Sequence, residues 1–353
     1  MQVRPSAFIV SPAYDVTFFF ASLAAPLLLW GAFGLGWLTG VAVYAVFQLA
    51  FNLPHNAQTW TMSIFDDEDR SKNGRRYAIA LGIILVVFAV PALLSPEGVA
   101  PWLRDALVYW GYYHLVRQHY GILRLYERRM AIAGTPAPPL ESKLYARFID
   151  VVSYAPLLIR FRDPNLMTIH AAGRAVWIRH PILPPIVWQA VASAYAATIL
   201  LAVVHHVVLA LTGRRNLGPR AMHLIAVTVC FGLATLVVND ILVAIAIVTA
   251  FHNLQYMGLV WFHNRTRADI ADREHAPAGK NVTIDWIRTG KQGRYAALSF
   301  AYGAALLAPV AIFRTPLSQL PITCVVALHY YVDSRVWRFA DHPNLARFLR
   351  LKA

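Results

Sequence analysis

Long apolar runs almost free of charge recur from one end of this chain to the other, Ala78–Leu94, Ile186–Leu211 and Ile241–Phe251 among them. A helix needs about 20 such residues to cross a ~30 Å hydrocarbon core. Lipid offers the backbone no hydrogen-bond partner, so each crossing must pair its own N–H and C=O groups, which a helix does. Only 14% of the 353 residues are charged and 58% are hydrophobic, whereas a soluble domain carries about 25% charged residues. A water-facing surface cannot be built from this composition. The expected fold is therefore all-α, a polytopic bundle of about ten transmembrane helices in a single transmembrane domain over residues 1–353.

Apolar length and helix breakers place the spans at about 16–35, 37–53, 77–94, 102–124, 144–159, 186–211, 222–238, 241–262, 295–313 and 320–337. The fourth belongs to an aromatic and polar helix that continues to Arg129. Residues Arg160–Pro185 read as an interfacial connector. Residues 264–293, the longest hydrophilic stretch, read as a cytoplasmic loop. With the N-terminus inside, the inner loops carry most of the basic residues: Arg70, Lys72, Arg75 and Arg76, then Arg128, Arg129 and Lys143. Arg214, Arg215, Arg220 and the Arg265–Arg294 set fall on the same side. The outer loops are nearly bare apart from Arg104, Arg314 and a connector holding Arg160, Arg162, Arg174 and Arg179. Lys and Arg are retained on the cytoplasmic side, so both termini are expected inside, and the setting is expected to be a bacterial inner membrane.

The same bias accounts for the net charge of +14 without nucleic acid, for no basic run lies on a polar helix of its own. Cys230 and Cys324 both sit in apolar stretches and lack a CxxC partner, so a disulfide framework, a zinc ribbon or an iron–sulfur site has no support. The first residues contain neither a short basic leader nor a small-residue cleavage site, so the first apolar segment is expected to be retained as a helix.

The histidines carry the functional signal. His55 ends the second expected span, and His114 and His119 occupy the inner half of the fourth. His205 and His206 approach the inner end of the sixth, His252 and His263 lie on the eighth, and His329 on the tenth. One buried imidazole in a membrane protein is ordinarily a hydrogen-bonded helix contact. Imidazoles from five helices at similar depth point to a shared metal or cofactor site, since polar groups inside lipid need a partner, an ion or water.

At about 100° per residue, His252, Tyr256 and His263 fall on one helix stripe. His329 and Asp333 are four apart in HYYVD, where the carboxylate could ligate the same ion or orient the ring; the alternative is an ion pair with Arg335 or Arg338. His114 and His119, five apart, diverge by about 140°, and His205 and His206 by about 100°. Pro54 in FNLPHN could kink the helix end and aim His55 inward. His170, His180, His275 and His342 read as surface residues, and His223 as undecided. Gln118, Tyr256 and Arg117 are the candidates to supply hydrogen bonds beside a substrate or a metal-bound oxygen species.

Imidazoles with one carboxylate and no cysteine suit iron, copper or zinc. The chain has no HExxH, GxSxG, Walker A or GxGxxG motif in a fitting context. A histidine site at the inner ends of apolar helices resembles the membrane diiron class of fatty-acid desaturases, lipid hydroxylases and alkane monooxygenases. His114 and His119 in HLVRQH match the HX4H spacing of that class, and His205–His206 could stand for the HH of a later box. A looser likeness is to the histidine-rich, polytopic carotene-cleaving oxygenases. The likeness covers the site, and it implies iron (two ions in the diiron class), oxygen chemistry and a lipid-like substrate. No ferredoxin-like or flavin-binding segment is present, so electrons would come from a separate donor protein. Two other functions are open at this point: a haem-binding electron-transfer protein with paired axial histidines, and a proton- or ion-coupled transporter.

Overall fold

The computed structural model describes residues 7–94, 100–164, 168–171, 174–212, 218–274, 281–313, 315–342 and 344–351. Helices occupy every segment read as a span: α1 (Pro12–Gly34), α2 (40–61), α3 (Asp67–Leu94), α4 (Pro101–Ile132), α5 (Pro139–Arg160), α6 (Pro185–Leu211), α7 (Pro219–Val237), α8 (Ile241–Arg273), α10 (Gln292–Phe313) and α11 (Leu320–Val336). The short helices α9 (Val282–Arg288) and α12 (Leu345–Phe348) complete the set. Among the described residues six helices, α1, α3, α6, α7, α8 and α10, are long and apolar enough to cross a membrane. Within the expected connector, β1 (Thr168–Ala171) and β2 (Arg174–Trp177) pair antiparallel, with Thr168 opposite Trp177. His275, Arg214, Arg215, Lys280 and Arg314 lie outside the described residues.

Three helices outrun the apolar segments that announced them. The span expected to end at Leu53 continues to Thr61, and the one expected to end at Phe262 continues to Arg273. The fourth helix runs to Ile132. Hydropathy under-reads these ends because their polar side chains turn inward: Asn56, Gln58 and Thr59 are all buried. The hydrophilic stretch 264–293 is consequently helical at both described ends, in α8 and in α9 and the start of α10.

The chain groups into two compact units interleaved in sequence: Met1–Ala45 with Tyr113–Gln255, and Val46–Tyr112 with Tyr256–Ala353. The borders fall inside α2, α4 and α8.

In the first unit, Phe19, Tyr126, Ile149, Phe231 and Phe251 are fully or almost fully buried and form the apolar interior. The N-terminal segment is tied down by the Asp15 carboxylate, which accepts from the Ile9 N–H at 2.8 Å and the Val10 N–H at 3.0 Å. Arg129 donates to the Ile9 carbonyl. Arg160, an exception to the basic bias of the inner loops, is buried and donates to the Thr235 and Val238 carbonyls at 3.2 and 3.5 Å. It caps the C-terminal end of α7, where carbonyls lack helical partners and the helix dipole favours a cation. Arg220 is also buried, paired with Glu141 and stacked over the Tyr145 ring at 4.5 Å. α6 has no buried residue, and an apolar helix so exposed is compatible with lipid around it.

In the second unit, Trp60, Tyr77, Phe88, Leu328 and Val332 form the main core. Ala268, Ala271, Ile284, Ile287 and Tyr295 form a satellite that holds α9 against α8 and α10. α2 widens to a π turn at Gln48–Asn52 just ahead of Pro54, which relieves the clash and missing donor that proline brings to a helix interior. Opposite this point, a Cβ at Gly303 of α10 would lie 3.0 Å from the Leu53 Cβ, so glycine is what lets the two helices approach.

Candidate metal centre

Pro54 marks the place where α2 resumes regular geometry, and the next residue, His55, is buried with its ring toward α11. From α11, His329 meets it Nε2 to Nε2 at 3.0 Å, with the ring planes at 77°. Two nitrogens each ~2.1 Å from one ion and at right angles around it are about 3.0 Å apart. The same separation also serves one N–H···N hydrogen bond when no ion is present.

A chain of hydrogen bonds decides which nitrogen of His329 carries the proton. Its Nδ1 stands 2.9 Å from Thr59 Oγ1, which stands 2.8 Å from the Tyr256 hydroxyl, which donates to the Asp333 carboxylate. Trp337 Nε1 donates to the same carboxylate oxygen at 3.2 Å. The Tyr256 hydroxyl has one hydrogen, and it goes to the Asp333 carboxyl oxygen. Thr59 therefore donates to Tyr256, and His329 donates through Nδ1 to Thr59. That leaves the Nε2 of His329 as a lone pair aimed at His55, the tautomer a metal ligand needs. Every member of this chain is buried except the half-buried Trp337.

His55 and His329 both belong to the second unit, and His114 on α4 belongs to the first.

The remaining expected ligands take other places. In the first unit the His252 ring lies 5.0 Å from that of His114. Fully buried His119 sits between Phe231 and Phe251, with its ring 5.8 Å from His223 and 6.4 Å from His252. His223 is buried too, its Nε2 3.0 Å from the His119 carbonyl. His206 engages the Ala202 carbonyl at 2.8 Å through Nδ1 and the Tyr145 hydroxyl at 3.3 Å through Nε2, with His205 beside the same tyrosine. In the second unit His263 Nδ1 is 3.0 Å from Asn264 Oδ1, and the ring borders a cavity of about 40 Å³ lined also by Asp66, Asp69, Arg267 and His342. Asp333 serves Tyr256 and Trp337. Gln118 donates to the His252 carbonyl at 2.9 Å, and exposed Arg117 covers the Tyr120 ring at 4.2 Å.

Thr59 went unread in the sequence although it lies four residues beyond His55, on the same helix face. The spacing that singles out His329 and Asp333 applies equally to this pair. Trp337 stands in the same relation to Asp333. No family model matches this chain, and neither do any curated protein or any solved structure.

Proposed function

We propose that the chain is an integral-membrane, non-haem metal-dependent oxygenase, of hydroxylase or desaturase type, acting on a lipid or another apolar molecule. One observation carries this reading: the Nε2 atoms of buried His55 and His329 meet at 3.0 Å, and the Thr59–Tyr256–Asp333 chain holds His329 in the ligating tautomer. Imidazole ligands suit iron or copper, and two of them leave coordination positions for oxygen. Lipid-facing helices such as α6 put an apolar substrate within reach by diffusion in the bilayer. The ten crossings, the inward termini, the bacterial inner membrane and a separate electron-donor protein belong to the same proposal. The His55–His329 pair accounts for one ion; a second would draw on His114 and His252 of the first unit, whose rings lie 5.0 Å apart.

A haem reading fits less well, because axial nitrogens on opposite sides of one iron are about 4 Å apart and His55 and His329 stand at 3.0 Å. A transporter reading is favoured by no observation.

The test is elemental analysis of detergent-purified protein beside His55→Ala and His329→Ala. Stoichiometric iron or copper in the parent, lost in both variants, and no Soret band are expected. A metal-free parent from metal-supplemented cells, or variants that keep their metal, would sink the reading.

A further inference from the structure

We infer that Tyr256 is a redox-active side chain that passes an electron to an oxidised metal ion held by His55 and His329 while handing its proton to Asp333. This deepens the function proposed above and rests on it. Three features of the second unit converge on the inference. Tyr256 is 1% exposed, and a radical formed there is shielded from water and from solutes that would quench it. Its ring meets that of His55 edge to face at 4.3 Å between centroids, and that of His329 at 6.3 Å, so the electron has a path of near van der Waals steps. Its hydroxyl already donates to the Asp333 carboxylate, so the proton moves along an existing hydrogen bond without reorganisation.

Oxidation of a phenol in an apolar interior needs that acceptor, because removing the electron alone would leave an uncompensated cation in low dielectric. The step balances. The Tyr256 O–H bond breaks, its proton bonds to an Asp333 carboxylate oxygen, and one electron reduces the ion by one unit of charge. The products are a neutral tyrosyl radical and a neutral carboxylic acid. Thr59, which donates to the same phenol oxygen, can hold that oxygen in place before and after the transfer. A tyrosine placed only to brace Thr59 would need neither the carboxylate nor the contact with the His55 ring.

The experiment oxidises the metal-loaded protein with hydrogen peroxide, freezes it within seconds and records electron paramagnetic resonance spectra. Metal content is measured on the same samples. A tyrosyl signal is expected, altered in line shape when the protein is grown on ring-deuterated tyrosine. It should vanish in Tyr256→Phe at unchanged metal content, and Asp333→Asn should lower the radical yield by about a hundredfold, the scale of a lost proton acceptor. Metal that oxidises without any organic radical, or an identical signal in Tyr256→Phe, overturns the inference and leaves the metal reading standing. Parent protein without metal overturns both, and that is visible in the elemental analysis before any spectrum is recorded. Should Tyr256→Phe fail to fold, 3-fluorotyrosine incorporation in the parent replaces it: fluorine hyperfine structure confined to a tyrosine other than Tyr256, identified by mapping Tyr→Phe variants elsewhere, is also fatal.

Discussion

Thr59 Oγ1 lies 2.9 Å from Nδ1 of His329, so a hydroxyl on one helix sets the tautomer of an imidazole on another. Partners of this kind influence metal affinity almost as strongly as the ligands do. Thr59→Val keeps the shape of the side chain and removes the acceptor. We expect metal affinity to fall by about 10- to 100-fold, with Thr59→Ser near parental, measured by competition against a chelator of known affinity. Equal affinities in all three proteins would remove Thr59 from the site.

Gly303 tests the site from a distance. Its Cβ would come 3.0 Å from the Leu53 Cβ, two residues before His55. Gly303→Val must push α10 and α2 apart or strain both, at about 1–3 kcal/mol. Thermal unfolding in detergent should begin earlier, and the metal content should drop although no ligand has been touched. Unchanged melting would mean that the helices have slack at this crossing.

Asp66 gives the protein an acid limb. Burial alone would raise its carboxyl, but Arg267 beside it more than reverses this and holds it below the ordinary carboxylate value. A carboxyl whose folded-state value is depressed contributes stability that is in place above its unfolded value, near 3.9, and is lost as pH falls through the folded one. The melting temperature should therefore decline below about pH 4, and Asp66→Asn should be less stable at neutral pH and flatter across that limb. Asparagine still caps the first turn of α3, where Asp66 accepts from the Glu68 N–H at 2.9 Å, so the difference reports the ion pair. Parallel parent and variant curves would contradict this assignment.

Glu141→Gln separates stability from metal binding. Arg220, whose side chain is only 4% exposed, would keep its charge with a neutral partner and the more distant Glu127, 3.9 Å away. Breaking a buried pair on one side costs about 3–5 kcal/mol. Unfolding should come at markedly lower temperature while metal content per folded protein stays parental. A loss of metal without a loss of stability would show that this network serves the centre instead of the scaffold.

The helices were legible because hydrophobic runs of crossing length admit one backbone solution. The polar ends of α2 and α8 were not, since His55, Asn56 and Thr59 look like loop residues until a neighbouring helix covers them. Five helices of histidines were legible as a pattern, but helix-face arithmetic could not rank His119 against His114. Five residues apart on α4, they have different neighbours: His114 stands beside His252, and His119 lies between phenylalanines.

By itself, then, the sequence determined that this is a helical protein with apolar segments of membrane-crossing length and histidines on five of its helices, because solvent preference and helical period are local properties. Only the tertiary structure decided that His55 and His329 meet while His206 serves a tyrosine and a carbonyl. It also decided that Thr59 and Tyr256 connect His329 to Asp333. Ligation depends on separations of a few ångströms between residues hundreds of positions apart, and those are set by how helices pack, not by which residues each one carries.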